Sequence, residues 1–203
     1  MTAVDTFGNQ VTDVTAVGPV QSFANGMVTL SAGMHLFGSP LEPADREPTT
    51  LLGIDPGQLK MARWSSSAEN YVVYSGPGSL PLVLGRGYWL KLDRPVTFSP
   101  SGKMAPSGGF SVTLEPGWQQ IGNPFFSPID LSQVTVNYQG TTMDLASADA
   151  ANVMRQVLWT YDEQSNGYNV VAPFLGVGET RIDPWKGFWV RVEKRCSLVL
   201  PRG

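Results

Sequence analysis

Apolar and polar residues alternate along this chain in short stretches, each closed by a turn signal. "VLWTYDEQSNGYNVV", residues 157–171, alternates on both sides of Asn166-Gly167, a pair that supplies the positive φ of a hairpin turn. "MARWSSSAENYVVY", residues 61–74, has the same shape around Glu69-Asn70. "GYWLKL" (87–92) and "GFWVRV" (187–192) interleave aromatic or aliphatic residues with Lys or Arg, as half-buried strands do. A period of two puts Phe188, Val190 and Val192 on the core face and Trp189 with Arg191 on the outer face. The same count sets Tyr88, Leu90 and Leu92 against Trp89 and Lys91. "MHLFGSP" (34–40) and "WQQIGNP" (118–124) each end at a proline, which has no N–H to give to a ladder. "VTFSP" (96–100) and "SLVLP" (197–201) read as closing strands. One stretch, "MDLASADAANVMRQ" (143–156), has a helical pattern. Asp144 or Ser147 can cap it, and Leu145, Ala148, Val153 and Met154 form its apolar stripe.

These stretches occur twice in the same order. Val28-Thr29-Leu30 matches Val112-Thr113-Leu114 at an offset of 84 (112 − 28), and Gly33, Phe37, Gly38 and Pro40 match Gly117, Ile121, Gly122 and Pro124 without a gap. Trp64 and Tyr71 match Tyr161 and Tyr168 at an offset of 97 (161 − 64), and "GYWLKL" matches "GFWVRV" at 100 (187 − 87). The offset grows through an insertion that falls mostly within 129–156. The pattern predicts an all-β fold of two pseudo-symmetric antiparallel modules, sandwich-like or small barrels, with one short helix in the second. The predicted division is an N-terminal strand and linker over 1–25, a first repeat over 26–105 and a second over 106–203.

Composition narrows the picture. Hydrophobic residues make up 42% of the 203 residues, enough for a packed core, while 22 Gly, 16 Pro and a charged share of 15% favour short strands and tight turns over helices. The net charge of −3 comes with no basic patch and argues against nucleic acid. No apolar run reaches the roughly 20 residues of a membrane helix, so membrane insertion is not expected. A single cysteine, Cys196, leaves no intramolecular disulfide and no cysteine-based zinc cluster. No signal peptide is visible at Met1, which fits either a cytosolic chain or a segment of a longer precursor.

"GWQQIGNPFFSPIDLSQV", "VLWTYDEQSNGY", "IDPWKGFWVRV" and "CSLVLP" together resemble a β repeat of secreted bacterial multidomain proteins. That repeat runs Gly-Trp-Asn-x-Ile-Gly-Asn-Pro-Phe, then Tyr-Asp before a Gly-Tyr hairpin, then Gly-Phe/Tyr-Trp-Val. The resemblance covers 111–203 well and 27–103 more loosely: Met34 stands for the tryptophan, Ser39 for the asparagine and Trp64-Ser65 for the Tyr-Asp pair. "TAVDTFGNQV", residues 2–11, resembles the final strand of a fibronectin type III domain. The resemblance implies an extracellular or cell-surface accessory module beside other domains of a parent protein, and it carries no catalytic residues over.

His35 and Ser39 are roughly 13 Å apart on an extended strand, out of hydrogen-bond reach, and Gln119 takes the histidine's place in the second copy. "DEQSNG" (162–167) lacks the spacing of a calcium loop and reads as a turn, so no metal and no cofactor are expected. Glycoside hydrolysis needs two carboxylates facing a cleft, and Glu179 with Asp183 is the least ordinary pair. This makes a small polysaccharide-acting hydrolase the alternative to a non-catalytic, carbohydrate-binding or adhesive module. Aromatics matched in both copies serve the fold most simply, whereas unmatched ones are free to bind. Trp159 stands against Ala62 and Trp185 against Gly85. The expected ligand site is therefore Trp185, in an exposed loop between Asp183 and Lys186, with Trp159 and Tyr74 as further members and Phe174 after them. The expected partner is a polysaccharide.

Overall fold

The computed structural model describes residues 2–4, 10–12 and 26–202. Thr2–Val4 pairs antiparallel with Gln10–Thr12, so the stretch that resembles one final strand folds back as two. The rest of the expected 1–25 segment lies outside the described residues.

The fold is all-β and antiparallel, organised around one eight-stranded sheet. Its order runs Gly167–Val171, Met154–Asp162, Trp185–Val192, Gly33–Gly38, Gly87–Leu92, Lys60–Ser65 and Asn70–Val73, with Gly117–Gly122 paired to Trp185–Val192 off this path. Each half contributes four strands, and their registers correspond. Gly33 faces Leu92 and Gly38 faces Gly87 in the first half, as Gly117 faces Val192 and Gly122 faces Gly187 in the second. Ala62 lies opposite Trp89, as Trp159 lies opposite Trp189. The hairpin turns also agree: Glu69 and Asn166 adopt positive φ of 49° and 52°.

The halves join reciprocally. Trp185 and Lys186 pair with Gly38 and Phe37, while Arg86 bridges to Ile121. The backbones meet at Gly38 and Gly122, where a Cβ on Gly38 would lie 2.3 Å from the Gly122 Cα and 2.7 Å from the Lys186 carbonyl. Only glycine permits that approach. Gly122 N–H donates to the Gly85 carbonyl and Asn123 N–H to that of Lys186, at 3.1 and 2.9 Å. Asn123, fully buried, satisfies its side chain completely. Its amide donates to the Ser127 and Ile182 carbonyls, and its oxygen accepts from Phe125 N–H.

Two cores lie under this sheet, one per half. Phe37, Leu41, Leu80, Tyr88 and Leu90 centre the first, and Ile121, Leu145, Phe188, Val190 and Val192 centre the second. The alternation of "GFWVRV" thus puts Phe188, Val190 and Val192 inward. Fully burying a side chain of this size stabilises by about 1.5–3 kcal/mol. The helix in the second half is shorter than its sequence pattern. It spans Leu145–Ala150, capped by Asp144, whose carboxylate accepts from Ser147 N–H at 2.7 Å. Met154 already begins a strand, because Val153 and Met154 are drawn into the second core. A second short helix, Pro48–Leu52, stands in the first half, where none was expected. The insertion also builds a hairpin, Thr135–Tyr138 with Thr141–Asp144, that docks on Cys196–Leu200.

Candidate binding groove

The outer face of the large sheet carries tryptophan and tyrosine where a solvated sheet would carry polar residues. Trp118 projects from Gly117–Gly122, Trp189 from Trp185–Val192, Trp159 from Met154–Asp162 and Tyr168 from Gly167–Val171; the first half adds Trp64 and Tyr71. These six rings line an open groove of about 490 Å³, within the 300–1,000 Å³ typical of ligand sites. The rings meet edge to face. Trp118 stands 4.9 Å from Trp159 and 6.2 Å from Trp189, and Trp64 stands 6.3 Å from Trp189 and 5.1 Å from Tyr71. Interplanar angles of 65–85° make a groove with walls rather than a flat strip. At one end the Arg191 guanidinium lies 5.9 Å from the centroid of the Trp118 ring.

Polar groups are few but placed at its edges. Gln120, next along the face from Trp118, accepts from the Trp64 backbone N–H at 2.6 Å and so ties the two halves beneath the groove. Its own amide nitrogen and the Trp64 indole N–H are buried without an acceptor among the described residues. Orphaned buried donors of this kind cost stability, about 1–3 kcal/mol each. Tyr71 and Tyr168, 43% and 53% exposed, form the rim. The Tyr71 hydroxyl accepts from the Trp89 indole at 3.2 Å. Burial first, then neighbouring Tyr71, pushes the Tyr168 phenol above its ordinary value, so it keeps its proton and remains a donor.

The expected site residues separate. Trp159 lines the groove. Trp185 does not. It is 9% exposed and packs into the core of the first half against Phe37, Phe98 and Phe126, at 5.9, 5.2 and 6.0 Å. Its backbone has φ 68°, matching φ 75° at its counterpart Gly85. That left-handed turn directs the ring inward across the seam instead of into solvent. A tryptophan in this conformation is strained, and the burial of its ring offsets the cost. Lys186 is exposed on the neighbouring position and contributes to the charge around His35 and Glu163. Asp183 pairs with Arg181 at 2.9 Å. Tyr74 is buried in the first core and donates to Glu47 at 2.9 Å. Phe174 is exposed but outside the groove lining. The residues brought together at one groove are therefore Trp159 and five that were not singled out.

Trp118 carried a usable signal, because its counterpart is Met34 and it is unmatched on the same terms as Trp159. Trp64, Tyr71, Tyr168 and Trp189 each match an aromatic in the other copy, which points to the fold rather than to a ligand. Trp189 does sit on the face opposite Val190, yet it is only 7% exposed, covered by rings of both halves. Asp162, in the turn that lacks the spacing of a calcium loop, spends its carboxylate on the turn itself, accepting from Gln164 N–H and the Ser165 hydroxyl.

No family model, curated protein or solved structure matches this chain.

Proposed function

We propose that this chain is a non-catalytic, glycan-binding module of a larger exported or cell-surface protein, and that the six-ring groove takes a single polysaccharide strand. The observation that carries the reading is the groove itself: four tryptophans and two tyrosines on an outer face, open to solvent. Pyranose rings present flat C–H faces that stack on aromatic rings, and the rim phenols and Arg191 offer donors to the hydroxyls. The steep angles between rings suit a separated strand over a crystalline surface, which would need coplanar rings. Among the described residues no carboxylate lines the groove, and Asp183 is engaged by Arg181; binding is accordingly preferred to cleavage.

The test is a screen of soluble and insoluble polysaccharides with released reducing sugar measured in the same tubes. Retention of the protein by at least one soluble polysaccharide, without sugar release, supports the reading. Release of sugar would replace it with the hydrolase reading, and retention by none would remove it.

A further inference from the structure

The two halves are clasped by a corresponding pair of side-chain grips. In one, Gln119 of the second half donates from its amide to the Ser66 hydroxyl at 2.7 Å and to the Glu115 carbonyl at 2.8 Å. In the other, the same three positions are occupied by His35, Glu163 and Ser31, related by 119 − 35 = 84, 163 − 66 = 97 and 115 − 31 = 84. His35 Nδ1 lies 2.9 Å from the Glu163 carboxylate and Nε2 lies 2.8 Å from the Ser31 carbonyl. Both partners only accept. A neutral imidazole has one N–H, so both contacts are hydrogen bonds only when the ring carries two protons. Glu163 sits in the turn between Met154–Asp162 and Gly167–Val171, the hairpin that supplies Trp159 and Tyr168 to the groove.

We propose that His35 and Glu163 form a proton-operated clasp, which holds this hairpin against the first half when His35 is charged and loosens it when His35 is neutral. The partner grip, Gln119 to Ser66, has no titrating group and stays closed throughout, so the loosening is local to one hairpin. The charged groups acting on His35 are Glu163, which favours the imidazolium, and Lys186, which opposes it; Asp162 acts on Glu163. Burial works against the charged ring, but the hydrogen bonds to Glu163 and Ser31 and the Glu163 charge outweigh it and raise His35 above 6.5. Its bond to His35, opposed by burial, lowers Glu163 below 4.5. The signs fix a window. The raised histidine contributes stability that is complete below the unfolded value and is lost as pH rises through the folded one; the lowered glutamate contributes stability lost as pH falls through its folded value. The clasp is tightest between the two. It concerns the seam alone and stands whether or not a sugar fills the groove.

His35 is the only histidine in the chain, so its ring protons can be followed by NMR without assignment of others. The expected result is a midpoint above 6.5, with protection against hydrogen exchange over 154–171 falling several-fold across the same midpoint. In His35→Gln, which copies the uncharged grip, that step in protection disappears. A midpoint at or below 6.5 in the wild type, or the same step in His35→Gln, overturns the clasp. Should His35→Gln fail to fold, Glu163→Gln must lower the His35 midpoint; an unchanged midpoint is equally fatal.

Discussion

The two ends of the outer aromatic face use equivalent positions and reach different results. Around Trp89, which is half-buried, Tyr161 stands at 4.9 Å and Tyr168 at 6.1 Å, with the two tyrosines 5.9 Å apart. Around Trp189, the corresponding residue, Trp64 and Trp118 stand at 6.3 and 6.2 Å and cover the ring, and together with Trp159, Tyr71 and Tyr168 they line the groove. The pairing of Gly33–Gly38 with Gly87–Leu92 and that of Gly117–Gly122 with Trp185–Val192 are the same, but Met154–Asp162 shifts register between Met154 and Leu158 where Lys60–Ser65 does not. Two substitutions go with the groove. Where the second half has Trp118 and Trp159, the first has Met34 and Ala62. Trp118 and Trp159, 4.9 Å apart and meeting at 70°, add two large rigid rings as groove walls where a flexible thioether and a methyl group supply none. A shared scaffold thus carries a ring cluster at one end and a groove at the other.

The largest effects should come from what holds the two ends in one molecule. Trp185→Ala removes a ring that the second half plants in the first half's core, and should cost about 3–5 kcal/mol in urea unfolding. A loss near zero would show that this ring is not a structural link. Trp189→Ala should cost as much, because both halves cover its ring, and more than Val190→Ala, for which about 1–3 kcal/mol is expected. The reverse ranking would mean that the outer face is open at Trp189 and that the groove is shallower than described. Gly122→Ala forces a Cβ to within 2.5 Å of the Arg86 carbonyl and 2.6 Å of the Gly38 Cα. Backbone cannot yield there as a side chain does, so a loss of about 3 kcal/mol is expected, at the upper end of ordinary overpacking. The smallest effect should be that of pH. With His35 raised above its ordinary value, the melting temperature should fall as pH rises through the His35 titration, by about 2–4 °C for a change of 1 kcal/mol. A rise over that interval would reverse the sign assigned to the clasp.

Much of this architecture was legible from alternation alone. Period two in "GFWVRV" sorts Phe188, Val190 and Val192 from Trp189 and Arg191, and Asn166-Gly167 marks its hairpin, because strand faces and turns are local properties. The hairpin inside the insertion turns at Gln139 and Gly140, with φ 51° and 83°, but its short strands lack the clear alternation of the other hairpins and adjoin a helical pattern. Coverage is not local. That Trp189 has rings over it depends on Trp64 from 125 positions away (189 − 64), and no pattern within one strand records this. Trp185 shows the same limit more sharply. Its loop position suggested exposure, but a left-handed backbone turned the ring into the other half's core.

The central claim is that the open end of the aromatic face binds a polysaccharide strand. Trp118→Ala with Trp159→Ala removes the two rings that distinguish this end from the other, and both are only half-buried. Calorimetric titration of the wild type and the double variant with a soluble polysaccharide retained in the screen, alongside melting of both proteins, measures that claim directly. At about 0.5–1.5 kcal/mol per stacking contact beyond buried area, the variant should bind about tenfold more weakly while remaining folded and two-state in its melting. Unchanged affinity in a folded double variant would contradict the account.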